Sequence, residues 1–233
     1  MLVDTYIDRK IEADLLAKNE DEKAKHISSG KLSASMLGDP LQWQILKILG
    51  VEQRELEEYV IRKFLRGKQV EDWVVSQIPD IVATQKFVEY KNCVGYIDCL
   101  ARTEKWDWKN GIIPIEVKSV ANSKFKRIMG QGPDKNHILQ AGLYALAEKI
   151  EHFAVLYVAS DDYRVKVYIY KTEDYRQEID GIIDRFYKQL ASGEVPVFEP
   201  NQAWQKSLKY SKFPSWQTLT PEEIKVKLSK LKK

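Results

Sequence analysis

Apolar residues recur along the chain at two periods, and the change from one to the other divides it. In residues 4–25, Ile7, Ile11, Leu15 and Leu16 fall at helical spacing in a charged stretch, which predicts a solvated helix burying one thin stripe. Ser28-Ser29-Gly30 breaks it. Ser33 then predicts the N-cap of a helix through Met36, Leu37, Trp43 and Leu46 to Leu49, kinked or broken at Pro40 and stopped by Gly50. A longer helical stretch over 52–78, bent near Gly67, is closed by Pro79. Beyond Pro79 the period shortens to two. Segments 82–90 and 93–102, rich in valine, tyrosine, isoleucine and threonine, read as strands joined by a Lys91-Asn92 hairpin turn. A third strand, 112–118, follows a loop over 106–111. Leu139, Leu143, Leu146 and Ile150 then mark one face of a helix over 135–150. Strands 153–159 and 164–170 flank the turn Ser160-Asp161-Asp162, and a helix over 173–192 closes the body, with Gly193, Pro196 and Pro200 marking the exit. Helices, three strands, helix, two strands, helix describe one α/β domain over 1–200, with a helical part to residue 66 and an extension over 201–233.

Composition narrows the classes. The 233 residues, 44% hydrophobic and 30% charged, suit one domain of ordinary size. No apolar run approaches the roughly 18 residues that cross a bilayer, and Met1-Leu2-Val3-Asp4 lacks a signal-peptide layout, so an intracellular protein without membrane contact is expected. Cys93 and Cys99 are too few for a disulfide framework or to hold an iron–sulfur cluster unaided. The net charge of +3 is uneven: eight lysines against Glu222 and Glu223 give residues 201–233 a net +6, which leaves −3 for the body. Such a balance argues against a protein that wraps nucleic acid over its whole surface and allows one that gathers it locally.

Candidate chemistry lies where charges interrupt apolar strands. Tripeptides of the form Glu-x-Lys begin at Glu89, Glu116 and Glu223, so the pattern alone says little. Glu223 follows Thr220-Pro221, a helix start, and Glu89 runs into the hairpin turn. Glu116 and Lys118 instead end the run Ile112-Ile113-Pro114-Ile115, where charges are costly unless paired or bound to something. Residues two apart on a strand share a face, so Glu116 and Lys118 point together while Ile113, Ile115 and Val117 point to the core. Asp98 interrupts a second apolar strand, and two neighbouring strands each placing a carboxylate on a shared face make a hard-oxygen site suited to magnesium or manganese. Gly95 removes a side chain three residues earlier, which permits a close approach. Cys99 alternates to the opposite face and reads as core. His26 and His152 are isolated, and no P-loop or dinucleotide fingerprint is present.

Gly95-Tyr96-Ile97-Asp98 followed by Ile115-Glu116-Val117-Lys118 resembles the core motif of the PD-(D/E)XK nuclease superfamily. Gly67-Lys68-Gln69-Val70-Glu71 is similar to the upstream helix motif of its RecB-like branch. Gln140 and Tyr144 match that branch's Q-x-x-x-Y helix, and Leu32-Ser33-Ala34-Ser35 resembles its serine-rich beginning. The four matches run in order over 32–144. The resemblance implies a restriction-endonuclease-like core, a central mixed sheet flanked by helices over 67–192. It also implies a DNA nuclease, an exonuclease above all, acting in recombination, repair or replication. Asp39-Pro40 stands where cluster-bearing members have a cysteine, so the resemblance is to a cluster-free member.

By the same resemblance, Glu71, Asp98, Glu116 and the Val117 carbonyl hold one or two magnesium or manganese ions. Lys118 orients or deprotonates the attacking water or stabilises the phosphate, with Gln140 and Tyr144 beside it holding Lys118 or a phosphate. His137 lies one helical turn before Gln140, and Ser33, Ser35 and His137 are expected to contact nucleic acid. The segment Ser123-Lys124-Phe125-Lys126-Arg127 reads as a loop whose basic groups and ring suit phosphate contact and base stacking. Trp204, Lys206, Lys209, Tyr210, Lys212, Phe213 and Trp216 in the tail fit either a single-strand platform or aromatics docked on the domain. The last residues, 225–233, form an amphipathic segment that fits a partner protein or a neighbouring subunit. A structure-specific or nicking endonuclease, and a nucleic-acid-binding module with a decayed site, are the alternatives.

Overall fold

The computed structural model describes residue 9 and residues 30–104 and 111–231. The N-terminal helix expected over 4–25 and nearly all of the 106–111 loop fall outside them. The described chain builds a six-stranded mixed sheet from β1 (Leu32–Ser33), β2 (Ile81–Tyr90), β3 (Cys93–Arg102), β4 (Ile112–Val120), β5 (His152–Ala159) and β6 (Val165–Lys171). Helices α1 (Leu41–Ile48), α2 (Glu58–Gln77), α3 (Asn122–Gln131), α4 (Lys135–Glu148) and α5 (Glu173–Ser192) flank it, and α6 (Pro214–Gln217) and α7 (Pro221–Leu231) form the tail. No helix among the described residues is long and apolar enough to cross a membrane.

The sheet runs β1-β3-β4-β5-β6, with β2 on the remaining edge of β3. Lys91 and Asn92 both adopt left-handed backbone, with φ of 47° and 61°, the geometry that lets a two-residue turn follow the strand twist. β5 is buried along its whole length, as a central strand covered on both faces must be. It pairs parallel with β4, so the chain between them, α3 and α4, crosses over the sheet. One core lies under α2, where Val70 and Val74 meet Cys99, Ile115 and Val117. A second lies under α3 and α4, where Phe125 and Ile128 meet Val155 and Tyr157. The third joins Leu32, Trp43, Ile97 and Tyr144 to Phe186 and to Phe213, Trp216 and Ile224 of the tail.

Three expectations need correction. Ser33 does not open a long helix: Leu32-Ser33 pair with β3, a short 3-10 turn follows over Ala34–Met36, and α1 begins only after Pro40. The helix expected from residue 52 starts at Glu58, because the backbone N–H of Arg54 donates to Lys212 of the tail at 2.9 Å and holds that stretch extended. It then passes through Gly67 without a break. The segment 123–127 is helical, within α3. In the tail the docked reading holds for Phe213 and Trp216, which are buried with Ile224 in the body's own core, while Trp204 and Tyr210 remain exposed.

Candidate active site

The site follows from how β3 divides one of its edges. Leu32 and Ser33 of β1 pair with Cys93 and Val94, whereas β4 pairs only with the far half of β3, from Cys99–Ile115 to Arg102–Ile112. Between the two partners, Gly95 to Asp98 form the lip of a fork. Asp98 and Glu116 are the first residues beyond the last β3–β4 pair, one on each strand.

Past that point the β3-side edge of β4 has no strand partner, while its other edge stays paired with β5, and carboxylates take the place of the missing strand. The Val117 N–H donates to Asp98 Oδ2 at 3.0 Å, and the Ser119 N–H, next along the same edge, donates to Glu71 Oε1 of α2 at 2.9 Å. Unpaired backbone donors are costly to bury, so these bonds fix where both carboxylates stand. Gln85, opposite Asp98 in the β2–β3 register, donates from Nε2 to Asp98 Oδ1 at 3.3 Å. Its φ of 49° is left-handed in mid-strand, a strained conformation of the kind that clusters at functional sites.

Glu116 is 0% exposed, and the Lys118 ammonium pairs with its carboxylate. Beyond that pair, neither oxygen receives a hydrogen bond. Burial pushes the Glu116 carboxyl up to about 8, against the opposing pull of Lys118. Burial also raises Glu71, opposed by Lys118 and the Ser119 N–H. For Lys118 burial disfavours the charge, but Glu116 and Asp98 outweigh it and hold the ammonium's pKa above its ordinary value. Removing either partner of such a buried pair leaves an uncompensated charge.

Gly95 lets α4 close over this fork. A Cβ at that position would lie 2.7 Å from Tyr144 Cε1 and 2.9 Å from Ala34 Cβ. Gln140 Nε2 donates to the Tyr144 hydroxyl at 2.8 Å, and burial followed by the Glu116 charge raises the Tyr144 pKa. The two expected motif residues thus bond to each other rather than to Lys118. Ser33 and Ser35 join hydroxyl to hydroxyl at 3.0 Å beside the lip. His137 Nδ1 meets the Tyr157 hydroxyl at 2.7 Å, and burial together with the Lys118 charge lowers its pKa to about 3, so it is neutral.

The α3 residues depart furthest from expectation. Phe125 is buried in the core and cannot stack on a base, a correction that follows from α3 being a helix with Phe125 and Ile128 on its inner face. Lys124 and Arg127 both pair with Asp134, at 2.7 and 2.6 Å, which spends their charge within the protein; Lys126 is exposed. Sequence reasoning missed Gln85, whose type carries no signal, and Lys68. Lys68 lies one helical turn before Glu71, a spacing that was readable; burial disfavours its charge, but Asp72, Asp98 and Glu71 raise its pKa.

No family model and no curated protein matches the chain. Solved structures do. An alkaline exonuclease, LHK-Exo from Laribacter hongkongensis, superposes with a TM-score of 0.53 at 15% identity, over 70% of this chain and 89% of that one. The chain has the PD-(D/E)XK nuclease fold. LHK-Exo in complex with dAMP gives 0.53 at 14% identity over the same shares, and SSO0001 gives 0.54 at 17% identity over 87% of this chain and 93% of that one. At these identities the likeness is one of fold alone.

The donors there are hard oxygens, and a fully buried carboxylate with no hydrogen bond beyond its lysine is chemically suited to a divalent cation. Among the described residues, no group of three or more His, Cys, Asp or Glu side chains is arranged to hold a metal ion. Glu116, Asp98 and Glu71 stand close enough for each to feel the others' charge.

Proposed function

We propose that this chain is a divalent-metal-dependent DNA nuclease, acting as an exonuclease on linear DNA. The observation that supports it is the β3–β4 fork, where the buried Glu116 carboxylate, Asp98 and the Lys118 ammonium share one opening. Asp98, Glu116 and Glu71, with the Val117 carbonyl, would hold magnesium or manganese. When bound, the ion supplies Lewis-acid stabilisation of the charge that builds on the scissile phosphate and favours deprotonation of water.

The chain's own residues do the rest. Lys118, kept cationic by Glu116 and Asp98, is placed to stabilise negative charge on the phosphate, a role its raised pKa favours over proton abstraction. Asp98 keeps one oxygen on the Val117 N–H, so its orientation does not depend on the ion. Tyr144 and Gln140 cover the fork from α4, while Lys68, paired with Asp72, stands on the α2 side. LHK-Exo, whose fold this chain shares, is an alkaline exonuclease with a dAMP complex, which supports DNA as substrate.

The test incubates end-labelled linear single-stranded, linear duplex and closed circular DNA with and without manganese. Linear DNA should be degraded from its ends, circles should persist, and Glu116→Gln or Lys118→Ala should abolish cleavage. Cutting of closed circles would establish an endonuclease instead. Full activity in either variant would remove the fork from the mechanism.

A further inference from the structure

The hairpin of β2 and β3 has one face turned toward α4 and one turned away. On the inner face, Lys86 pairs with Glu148 of α4 at 2.5 Å, Val88 is buried, Gly95 lies against Tyr144, and Ile97 is buried. Side chains alternate along a strand, so Phe87 and Tyr96, which stand between those positions, face the other way. They are 52% and 53% exposed. They are also register partners, with ring centroids 5.4 Å apart and planes at 64°. Isolated exposed rings are ordinary on a protein surface. A cross-strand pair fixed edge to face is different, because each ring holds the other's orientation and keeps a π-face open to solvent.

Position gives the pair its meaning. Tyr96 precedes Asp98 by two residues, about 7 Å along the strand, and belongs to the same lip of the fork. Lys68, which pairs with Asp72 at 2.9 Å, also feels the charges of Asp98 and Glu71 and brings an ammonium near that lip. An uncharged aromatic surface beside carboxylates and a lysine matches a nucleotide chain, whose bases stack while its phosphates meet charge. A second copy of this chain is a poorer occupant. The free edge of β2 is interrupted by the left-handed Gln85 and carries exposed Thr84, Gln85 and Glu89, features that oppose edge-to-edge pairing.

We propose that Phe87 and Tyr96 form a stacking platform for an unpaired base of DNA, next to the phosphate held at the fork. This deepens the nuclease reading and rests on it: the site takes single-stranded or frayed ends, because a base inside a duplex has stacked neighbours on both faces. Stacking is sequence-tolerant, so no base preference follows.

The test uses the full chain with Phe87→Ala, Tyr96→Ala and Tyr96→Phe, and a fluorescein-labelled oligodeoxythymidine in EDTA, followed by anisotropy. The two alanine variants should each bind roughly 5- to 100-fold more weakly, the span of base–aromatic stacking. Tyr96→Phe should bind as the wild type does. The dependence of affinity on salt should keep its slope, since no phosphate contact is lost. Binding of a blunt duplex hairpin should change less, and melting temperatures should fall by no more than about 4 °C, the cost of one cross-strand ring pair. Unchanged single-strand binding in both alanine variants overturns the platform, as does an equal loss for the duplex. Sedimentation that finds a wild-type dimer split by these substitutions overturns it too, assigning the rings to self-association. Cleavage in manganese separates the two ideas: an inactive wild type sinks the nuclease reading, whereas an active enzyme indifferent to both substitutions sinks only the platform.

Discussion

Gly95→Ala is the sharpest test of how the fork is packed, and it does not depend on any activity. The added Cβ would sit 2.7 Å from Tyr144 Cε1 and 2.9 Å from Ala34 Cβ, whereas carbon atoms settle about 3.5–4.0 Å apart. Roughly 1 Å must therefore be found on two sides at once. Tyr144 is 2% exposed, with its hydroxyl tied to Gln140, and Ala34 is buried in the 3-10 turn after β1, so neither can step into solvent. Overpacking of this kind costs about 1–3 kcal/mol. In a chain of this length that lowers the melting temperature by roughly 2–12 °C. Gly130→Ala is the control, because nothing lies within 4 Å of its added Cβ and it sits inside α3, where alanine is favoured over glycine by up to about 1 kcal/mol. Thermal and urea unfolding of both variants measure the difference. The cost of Gly95→Ala should also shrink in a Tyr144→Ala background, since half the collision is gone. A Gly95→Ala protein melting within a degree of wild type, with no coupling to Tyr144, would refute the close approach of α4 to the lip.

Other outcomes follow from burial and charge. Glu116 has its folded pKa raised to about 8, so its contribution to metal-free stability is fully present below the unfolded carboxylate pKa and is lost as pH rises toward 8. Manganese needs the ionised form, so the rise in melting temperature on adding it should be larger at pH 8 than at pH 6, and equal rises at both would contradict this. Cys93 and Cys99 are buried with thiols pushed up to about 12, so a thiol reagent at neutral pH should leave both unmodified in the native protein and label two per chain in denaturant. Phe213→Ala should cost about 3–5 kcal/mol, a fall of roughly 6–20 °C in melting temperature, because the ring is part of the body's core; a loss under 1 kcal/mol would mean the tail docks loosely.

Much of this was readable along the chain because local and global signals agree. Lys91-Asn92 between two β-rich segments read as the β2–β3 hairpin turn, and Asp98, Glu116 and Lys118 stood out because charges on apolar strands are expensive. The failures share a cause. β1 is two residues long and exists only through pairing with Cys93 and Val94, 61 positions away, which no local propensity records. Residues 52–57 are good helix formers overridden by hydrogen bonds to the tail, where Arg54 also donates from Nη1 to the Lys209 carbonyl at 3.0 Å. The α3 segment Lys-Phe-Lys-Arg looked like a solvated loop because its inward stripe is short, and Asp134, which neutralises two of its cations, lies outside it.

The divided edge of β3 also bears on the order in which the chain folds. β2 and β3 are joined by two residues and can pair on the microsecond scale of an isolated hairpin. Both partners on the other edge arrive across longer loops, and β1 is held in a core completed by Phe213, Trp216 and Ile224 from the end of the described chain. The fork therefore closes last. A chain with its sheet largely formed but its tail undocked carries every acidic residue of the site and still lacks the opening that brings them together, so competence at the fork is a late event of folding rather than a property of its strands.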